Sequence, residues 1–326
     1  SSELPLLGQK YYDVKSNPTA YSSSGFYFNW LVENKINYNT TIKDAHSINV
    51  VLVQSAQKET YKGDNVTATD FPNDYIQTIS GGTVTKGASD KTQWTIASYL
   101  ARVQYSYKGK YMASAAIRAD GSSRFGKNNR WGYFPSASFA WRISGEDFFT
   151  KAKFLSFVDD LKLRASYGVT GNFQIGNYDH LSLMASDNYI LGTGNGQLVN
   201  GYKPSTIKNE DLSWEKNAMV NVGIDLQMFK GLLGLTVDYY NTNTSNMLLN
   251  VPVPHLTGYS TALMNIGKVN NRGWEIALTS QKNITKDFGY SFNANYATNT
   301  NEVKALGPGN APIISTGSVD HAYYIP

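Results

Sequence analysis

Charged side chains that alternate with apolar ones are the residues in this sequence best placed to do chemistry. Arg118, for example, lies between Ile117 and Ala119. Because side chains alternate between the two faces of a strand, such charges share one polar face. In a watery interior they could pair across strands or contact an enclosed partner. The residues predicted to line that interior are Arg102, Arg118, Asp120, Arg142, Arg164, Asp225, Asp238 and Glu275.

Aromatic, amide and carboxylate side chains in loop-like segments form a second set of candidates. Sugar binding uses an aromatic surface with hydrogen-bonding groups beside it, and these residue types supply both. The alternative for each residue is simple packing within a loop or at a membrane interface. The candidates for contact with a substrate are Trp131, Tyr178, Asp179, Asn188, Tyr189, Tyr202 and Tyr259.

The sequence contains no pattern typical of catalysis or metal binding. Its four histidines, His46, His180, His255 and His321, have no paired-ligand spacing, and no serine lies in a GxSxG context. There is no cysteine, which excludes a disulfide scaffold and a cysteine-ligated metal. A net charge of +4 without a basic tract argues against nucleic acid. We therefore expect no enzymatic activity, no cofactor and no nucleic-acid partner.

The elements that must position these residues are β-strands. Segments 92–107, 110–120 and 132–143 each alternate between apolar and polar side chains, with aromatic residues near the ends of the apolar face. This pattern fits strands with one face in lipid and the other in water, and it fits a large soluble β-sandwich less well. Similar alternation brings the total to roughly ten strands, the others being near 25–38, 48–53, 161–170, 217–228, 233–242, 274–281 and 288–296.

The links between these strands alternate in length along the chain. Short or medium links are expected near 39–44, 108–109, 144–158, 230–231 and 284–287, and long ones at 57–91, 121–131, 171–212 and 249–266. Short periplasmic turns and long extracellular loops are typical of outer-membrane barrels, whereas a Greek-key sandwich does not sort its links. We therefore predict an all-β, antiparallel, up-and-down transmembrane β-barrel. No apolar run approaches the 18 residues of a membrane helix.

Several segments resemble one known family. RADGSSRFGKNNRWGYFPSASFAWRISGEDFF (118–149), LKLRASYGVTGN (161–172), NEDLSWEK (209–216) and IGKVNNRGWEIALT (266–279) are similar to SusC/RagA-like TonB-dependent outer-membrane transporters of Bacteroidetes. The resemblance extends over 24–303. It implies a 22-stranded barrel in the Gram-negative outer membrane, with an N-terminal plug inside it. It also implies a SusD-like surface lipoprotein and a TonB complex as partners, with oligosaccharides or peptides as cargo.

The same resemblance indicates which parts of such a transporter this sequence supplies. No plug, TonB box or terminal aromatic strand is recognisable, so we expect residues 1–326 to be an internal fragment of a single receptor β-barrel domain. Its function would be the barrel portion of the importer, in contact with outer-membrane lipid and linked to TonB through the missing N-terminal part. A siderophore or vitamin receptor of the same architecture is one alternative. A soluble, surface-exposed, glycan-binding β-sandwich is the other.

Overall fold

The computed structural model describes residues 18–73, 75–76, 78–192, 196–306, 314–316 and 322–324, and these are mostly β-strand. The strands are β1 (Ala20–Ile42), β2 (His46–Thr69), β3 (Thr83–Tyr107), β4 (Tyr111–Ser122), β5 (Trp131–Arg142), β6 (Val158–Asn172), β7 (Met184–Ser186), β8 (Tyr189–Leu191), β9 (Gln197–Val199), β10 (Tyr202–Pro204), β11 (Glu215–Met228), β12 (Leu233–Pro252), β13 (Thr261–Asn283), β14 (Gly289–Ala297), β15 (Thr300–Ala305), β16 (Ile314–Thr316) and β17 (Ala322–Tyr324).

Helical structure is confined to short turns between strands. One α-helix, α1 (Asp147–Lys151), and the 3₁₀ turns Ile79–Gly81, Ile143–Gly145, Lys153–Leu155 and His255–Thr257 are present in the described ranges. Across those ranges, no helix has the length and apolar character needed to cross a membrane.

The long strands form one sheet in the order β1-β2-β3-β4-β5-β6-β11-β12-β13-β14, and β15 also pairs with β13. Strands β14 and β15 pair with successive parts of β13, so together they occupy one strand position. Each long strand therefore neighbours the next long strand along the chain, and the registered pairs are antiparallel. The prediction of about ten strands in an antiparallel up-and-down arrangement is confirmed.

Tight turns close the hairpins at one end of the sheet, except at the longer 143–157 link, which contains short helical turns. Lys43 and Asp44 both have positive φ, as do Lys108 and Gly109 in the next short link. Two consecutive residues of positive φ form the mirror-image turn whose twist matches that of the flanking strands. We call this end of the strands the short-link end. The opposite end, with the 70–82, 123–130, 173–214 and 253–260 connections, is the long-link end.

Several strands extend further toward the long-link end than the alternation predicted. The expectation of a long insert at 57–91 was wrong, because β2 continues to Thr69 and β3 begins at Thr83. The loop expected at 249–266 is likewise reduced to 253–260, and the 171–212 loop contains β7 to β10. Beyond the lipid neither face of a strand must be apolar, so the alternation fades where the strand continues.

The chain divides into two compact units. The first comprises Ser1–Val32 and Ala56–Ile96, and the second comprises Glu33–Ser55 and Ala97–Pro326. Within the first unit, Glu59 accepts hydrogen bonds from Asn29 Nδ2 at 3.1 Å and from Trp94 Nε1 at 3.0 Å. All residues of the sites described below belong to the second unit. Whether 1–326 is part of a single barrel domain stays a prediction.

The apolar face of the second unit carries two rows of aromatic rings. Near the short links, Tyr111 stacks with Tyr107 and with Trp141, and near the long links Tyr99 stacks with Trp131. Tyr99 and Tyr107 lie about eight residues apart on β3, or roughly 20 Å along the axis of a barrel whose strands tilt about 40°. Outer-membrane barrels carry aromatic girdles on both sides of an apolar band of about 25 Å.

The residues between the two rows test which face meets lipid. Ala115 lies on the apolar face of β4 midway between the rows, and Ala116 lies on the opposite face. We expect Ala115→Arg to lower the unfolding free energy of the full-length protein by about 2–4 kcal/mol, since a cation near the bilayer midplane is costly. Ala116→Arg, which points into the watery interior, should cost far less. Equal costs in urea unfolding from lipid vesicles would contradict the assignment of the faces.

Candidate functional site

A network of charges spans three neighbouring strands on the polar face. Arg164 of β6 contacts Asp238 of β12 at 2.6 Å and Asp225 of β11 at 3.2 Å, and Lys162 contacts Asp225 at 2.9 Å. The register places Gly223 between Arg164 and Asp238. A Cβ atom at Gly223 would lie 2.5 Å from Asp238 Oδ1, so glycine leaves room for this pair to meet.

Two further ion pairs lie on the same face. Arg118 pairs with buried Asp120 at 2.8 Å and donates to Ser98 Oγ at 3.1 Å. Arg142 pairs with Asp160 at 2.8 Å. Most of the charged residues predicted to line the interior are thus ion-paired. That they contact a plug or a substrate stays a prediction. In the part of the chain that the structure describes, Arg102 and Glu275 form no ion pair, and both are exposed.

An aromatic core holds the loops of the long-link end onto the sheet. Trp214, just before β11, lies with its ring 4.9 Å from Phe125, 5.3 Å from Phe134 and 5.7 Å from Phe173. Phe125 and Leu212 are completely buried. These residues come from the 123–130 and 173–214 connections and from β5, so one core joins segments that are distant in sequence.

Hydrogen bonds between side chains and backbone fix the same loops. Trp214 Nε1 donates to the carbonyl of Arg130 at 3.0 Å, and Asn129 Nδ2 donates to that of Asp211 at 2.9 Å. Asn265 of β13 donates to the Ser213 carbonyl at 2.8 Å and accepts from the Ser213 amide at 2.9 Å. Because both polar groups of its amide are used on one backbone segment, Asn265 fixes the position at which β11 begins.

A cavity of about 530 Å³ lies between the 173–214 connection and the 253–260 link. Lys203, Asn250 and Tyr259 contribute a cation, an amide and a phenol to its lining, and Ser205, Thr206, Ser260 and Thr261 contribute hydroxyls. Lys203 Nζ lies 3.3 Å from Asp187 Oδ2, and Asp179 accepts from the Gly176 amide at 2.7 Å. Such a lining can hydrogen-bond to sugar hydroxyls or to peptide amides and can stack on an aromatic ring.

The structure brings together only some of the predicted contact residues. Asp179 and Tyr259 line the cavity. Tyr178 is next to Asp179 in the sequence, and Tyr202 is next to Lys203, which also lines the cavity. Asn188 and Tyr189 are exposed elsewhere in the loop. Trp131 lies on the apolar face of β5, stacked on Tyr99. Lys203, Asn250 and the hydroxyls were not predicted, because no local pattern marks residues that meet only when two distant loops fold together.

The histidines have structural surroundings where these are described. Buried His180 donates from Nδ1 to the Arg124 carbonyl at 3.0 Å, and His46 Nδ1 lies 2.8 Å from the Tyr105 hydroxyl. The side chain of His255 and all of His321 lie outside the described residues. Among the residues that are described, no group of three His, Cys, Asp or Glu side chains could hold a metal ion.

Glu146 organises the 143–157 link at the short-link end. Hydrogen bonds from the Tyr111 hydroxyl and from Trp141 Nε1, with a further contribution from Lys110 at 3.3 Å, lower the pKa of the Glu146 carboxyl below its usual value. A carboxyl whose pKa is lowered by folding stabilises the folded form above its unfolded pKa. That stabilisation is lost as the pH falls through the lower pKa of the folded state.

This titration predicts a pH-dependent opening of the link. Hydrogen-exchange protection of residues 143–157 should hold above about pH 4.5, the ordinary pKa of the carboxyl, and decline as the pH falls further. Glu146→Gln should remove that dependence, whereas Asp147→Asn, which leaves the contacts of Glu146 in place, should keep it. A decline of the same size in the Glu146→Gln protein would show that another group is responsible.

A glycine at the loop core gives a second prediction. A Cβ at Gly126 would lie 2.2 Å from the Glu210 carbonyl oxygen, whereas one at Gly87 meets nothing within 4 Å. Gly126→Ala should therefore separate the two loops at a cost of about 1–3 kcal/mol, the usual cost of overpacking. Hydrogen exchange of residues 173–214 in the full-length protein should rise with Gly126→Ala and stay unchanged with Gly87→Ala. Unchanged exchange in both variants would refute the close backbone contact.

Comparison with known proteins agrees with the fold. A family model described as "TonB dependent receptor-like, beta-barrel" matches residues 6–318. The TonB-dependent receptor P39 of Formosa agariphila is 39% identical over 283 residues, which are 86% of this chain and 26% of that protein. The TonB-dependent receptor SusC of Bacteroides thetaiotaomicron is 34% identical over 236 residues, 72% of this chain and 22% of that protein.

A solved structure of the RagAB peptide importer in its open-open state matches with a TM-score of 0.84 and 26% identity, over 97% of this chain and 34% of that chain. The chain spans about a quarter of the length of the two sequence relatives. These relatives are named as receptors, and the solved structure as an importer; none is named as an enzyme. The soluble sandwich is excluded, and the resemblance to SusC/RagA-like proteins is confirmed. The chain belongs to the TonB-dependent receptor-like β-barrel family of the Gram-negative outer membrane.

Proposed function

We propose that this chain forms barrel wall and extracellular loops of a TonB-dependent importer for oligosaccharides or peptides. The observation that carries the proposal is its similarity to the RagAB peptide importer over 97% of the chain. The identity to SusC over 72% of the chain supports the same class. The importer works with a SusD-like lipoprotein outside the cell and draws energy from the TonB complex.

Each face of the sheet has a part in this function. The ion-paired polar face, with Arg164, Asp225 and Asp238, lines the lumen and surrounds a plug supplied by another part of the protein. Each of these charges has an opposite charge beside it within the wall, so a plug can move past them without breaking an ion pair. The chain's ten strand positions then form part of a wider barrel, and the chain has no enzymatic role.

The cavity at the long-link end is the part that meets cargo. Its lining mixes a cation, the Asp179 carboxylate, an amide, hydroxyls and a phenol, which suits a polar polymer with hydroxyl or amide groups. Its position beside the 173–214 and 253–260 connections supports an extracellular site, because long loops lie on that side of outer-membrane barrels. The same loops face the lipoprotein.

The proposal is tested by deleting the gene in its native host and measuring growth on oligosaccharides, on peptides and under iron limitation. We expect growth on one class of oligosaccharide or peptide to be lost and to return with the wild-type gene. The full-length protein should also co-purify with a surface lipoprotein. A defect seen only under iron limitation would instead indicate a siderophore receptor.

Complementation with variants links the defect to the cavity. Asn250→Ala removes a hydrogen-bonding group from the lining and should raise the substrate concentration needed for half-maximal uptake. Asn200→Ala, the same change at an exposed loop residue that does not line the cavity, is the matched control and should leave uptake unchanged. Equal behaviour of the two variants would remove the cavity from the cargo path.

A further inference from the structure

A groove of about 420 Å³ lies on the apolar face at the level of Tyr99. Its lining is almost entirely apolar and includes Ala101, Ala119, Leu52, Ile117 and Tyr133. These residues come from β2 to β5, and Ile36 of β1 continues the groove. Because neighbouring strands are about 4.8 Å apart, a groove across five strands is roughly 19 Å long. A long, shallow, apolar groove with small alanines within it suits a linear hydrocarbon chain.

Two amide side chains lie at the β1–β2 part of this groove. Asn34 Nδ2 donates to Gln54 Oε1 at 2.8 Å, and both residues line the groove. This bond leaves the two hydrogens of the Gln54 amide nitrogen as donors that have no partner elsewhere in the described ranges. A polar group on a lipid-facing strand is costly unless it is hydrogen-bonded. The groove therefore offers a donor that a polar atom of a ligand could satisfy.

The depth of the amide pair indicates which part of a lipid it meets. Asn34 and Gln54 lie about nine residues from the 43–45 link, and a strand crosses the bilayer in roughly 9–11 residues. Tyr99, in the aromatic row nearer the long links, is at the same level. The pair thus lies at the interface on the long-link side, where the ester groups of lipids are found.

We propose that the groove binds one acyl chain of a lipopolysaccharide molecule, with an ester carbonyl of that lipid accepting a hydrogen bond from the Gln54 amide. The groove is continuous with the band that contacts lipid, so an acyl chain is the ligand that reaches it. The choice of lipopolysaccharide rests on the proposed function in one respect, because that function puts the long links outside the cell. That side is the outer leaflet of a Gram-negative outer membrane, which lipopolysaccharide occupies.

The test measures the lipids that stay bound to the full-length protein after extraction from its native membrane in mild detergent. Ala119→Leu and Ala101→Leu fill the groove, and Ala115→Leu adds the same side chain to the same face of β4 outside it. Native mass spectrometry should find one lipopolysaccharide on the wild type and on Ala115→Leu. Retention should fall several-fold in Ala119→Leu and in Ala101→Leu. Heat-modifiable migration in gel electrophoresis identifies the folded protein, and only folded protein is scored.

Other results would overturn the proposal. Equal retention by Ala119→Leu and the wild type would show that lipid binds elsewhere. Equal loss in the Ala115→Leu control would show that the groove has no special role. A phospholipid in place of lipopolysaccharide, or no lipid on the wild type, would remove the proposed ligand. Retention of lipid is measured without cargo. The lipid test can therefore fail while uptake remains intact, and uptake can fail while lipid is still retained.

Discussion

Lipid on one face of the sheet and water on the other is the constraint on which the rest of this structure depends. In a bilayer every backbone N–H and C=O must be bonded within the protein, and adjacent strands achieve this by pairing with each other in a continuous register. That register places Arg164, Gly223 and Asp238 in one row across β6, β11 and β12. The charges can therefore pair on the polar face of the sheet, while apolar residues such as Ala115 and Ile117 lie on its other face.

The long-link end is stabilised differently, because its backbone is no longer surrounded by lipid. Here the loops are held by a small core around Trp214 and by side chains that bond to loop backbone, such as Asn265 and Asn129. The close approach at Gly126 lets two loops share that core. Folded in this way, the 173–214 connection forms one wall of a polar cavity. A rigid sheet thus supports loops whose sequence can vary without disturbing the strands.

The alternation of apolar and polar residues predicted the strands within the lipid band, because there one face of each strand meets lipid and the other meets water. It did not predict the extension of β2 to Thr69, since outside the band neither face must be apolar. The same rule could have placed Trp131 correctly, because it precedes Tyr133 by two residues and so shares its face. The cavity residues Lys203 and Asn250 carry no such signal. Their proximity results from the contact between loops rather than from the period of any strand.

The measurement that tests the two-faced sheet most directly is a spin-label scan through residues 112 to 119 of β4 in the full-length protein in lipid vesicles. Each position is labelled in turn, and its accessibility to oxygen, which concentrates in lipid, is compared with its accessibility to a water-soluble nickel complex. A sheet with one face in lipid predicts a strict two-residue period, with oxygen favoured at Ala113, Ala115, Ile117 and Ala119. A flat profile, or oxygen favoured at the even positions, would contradict it.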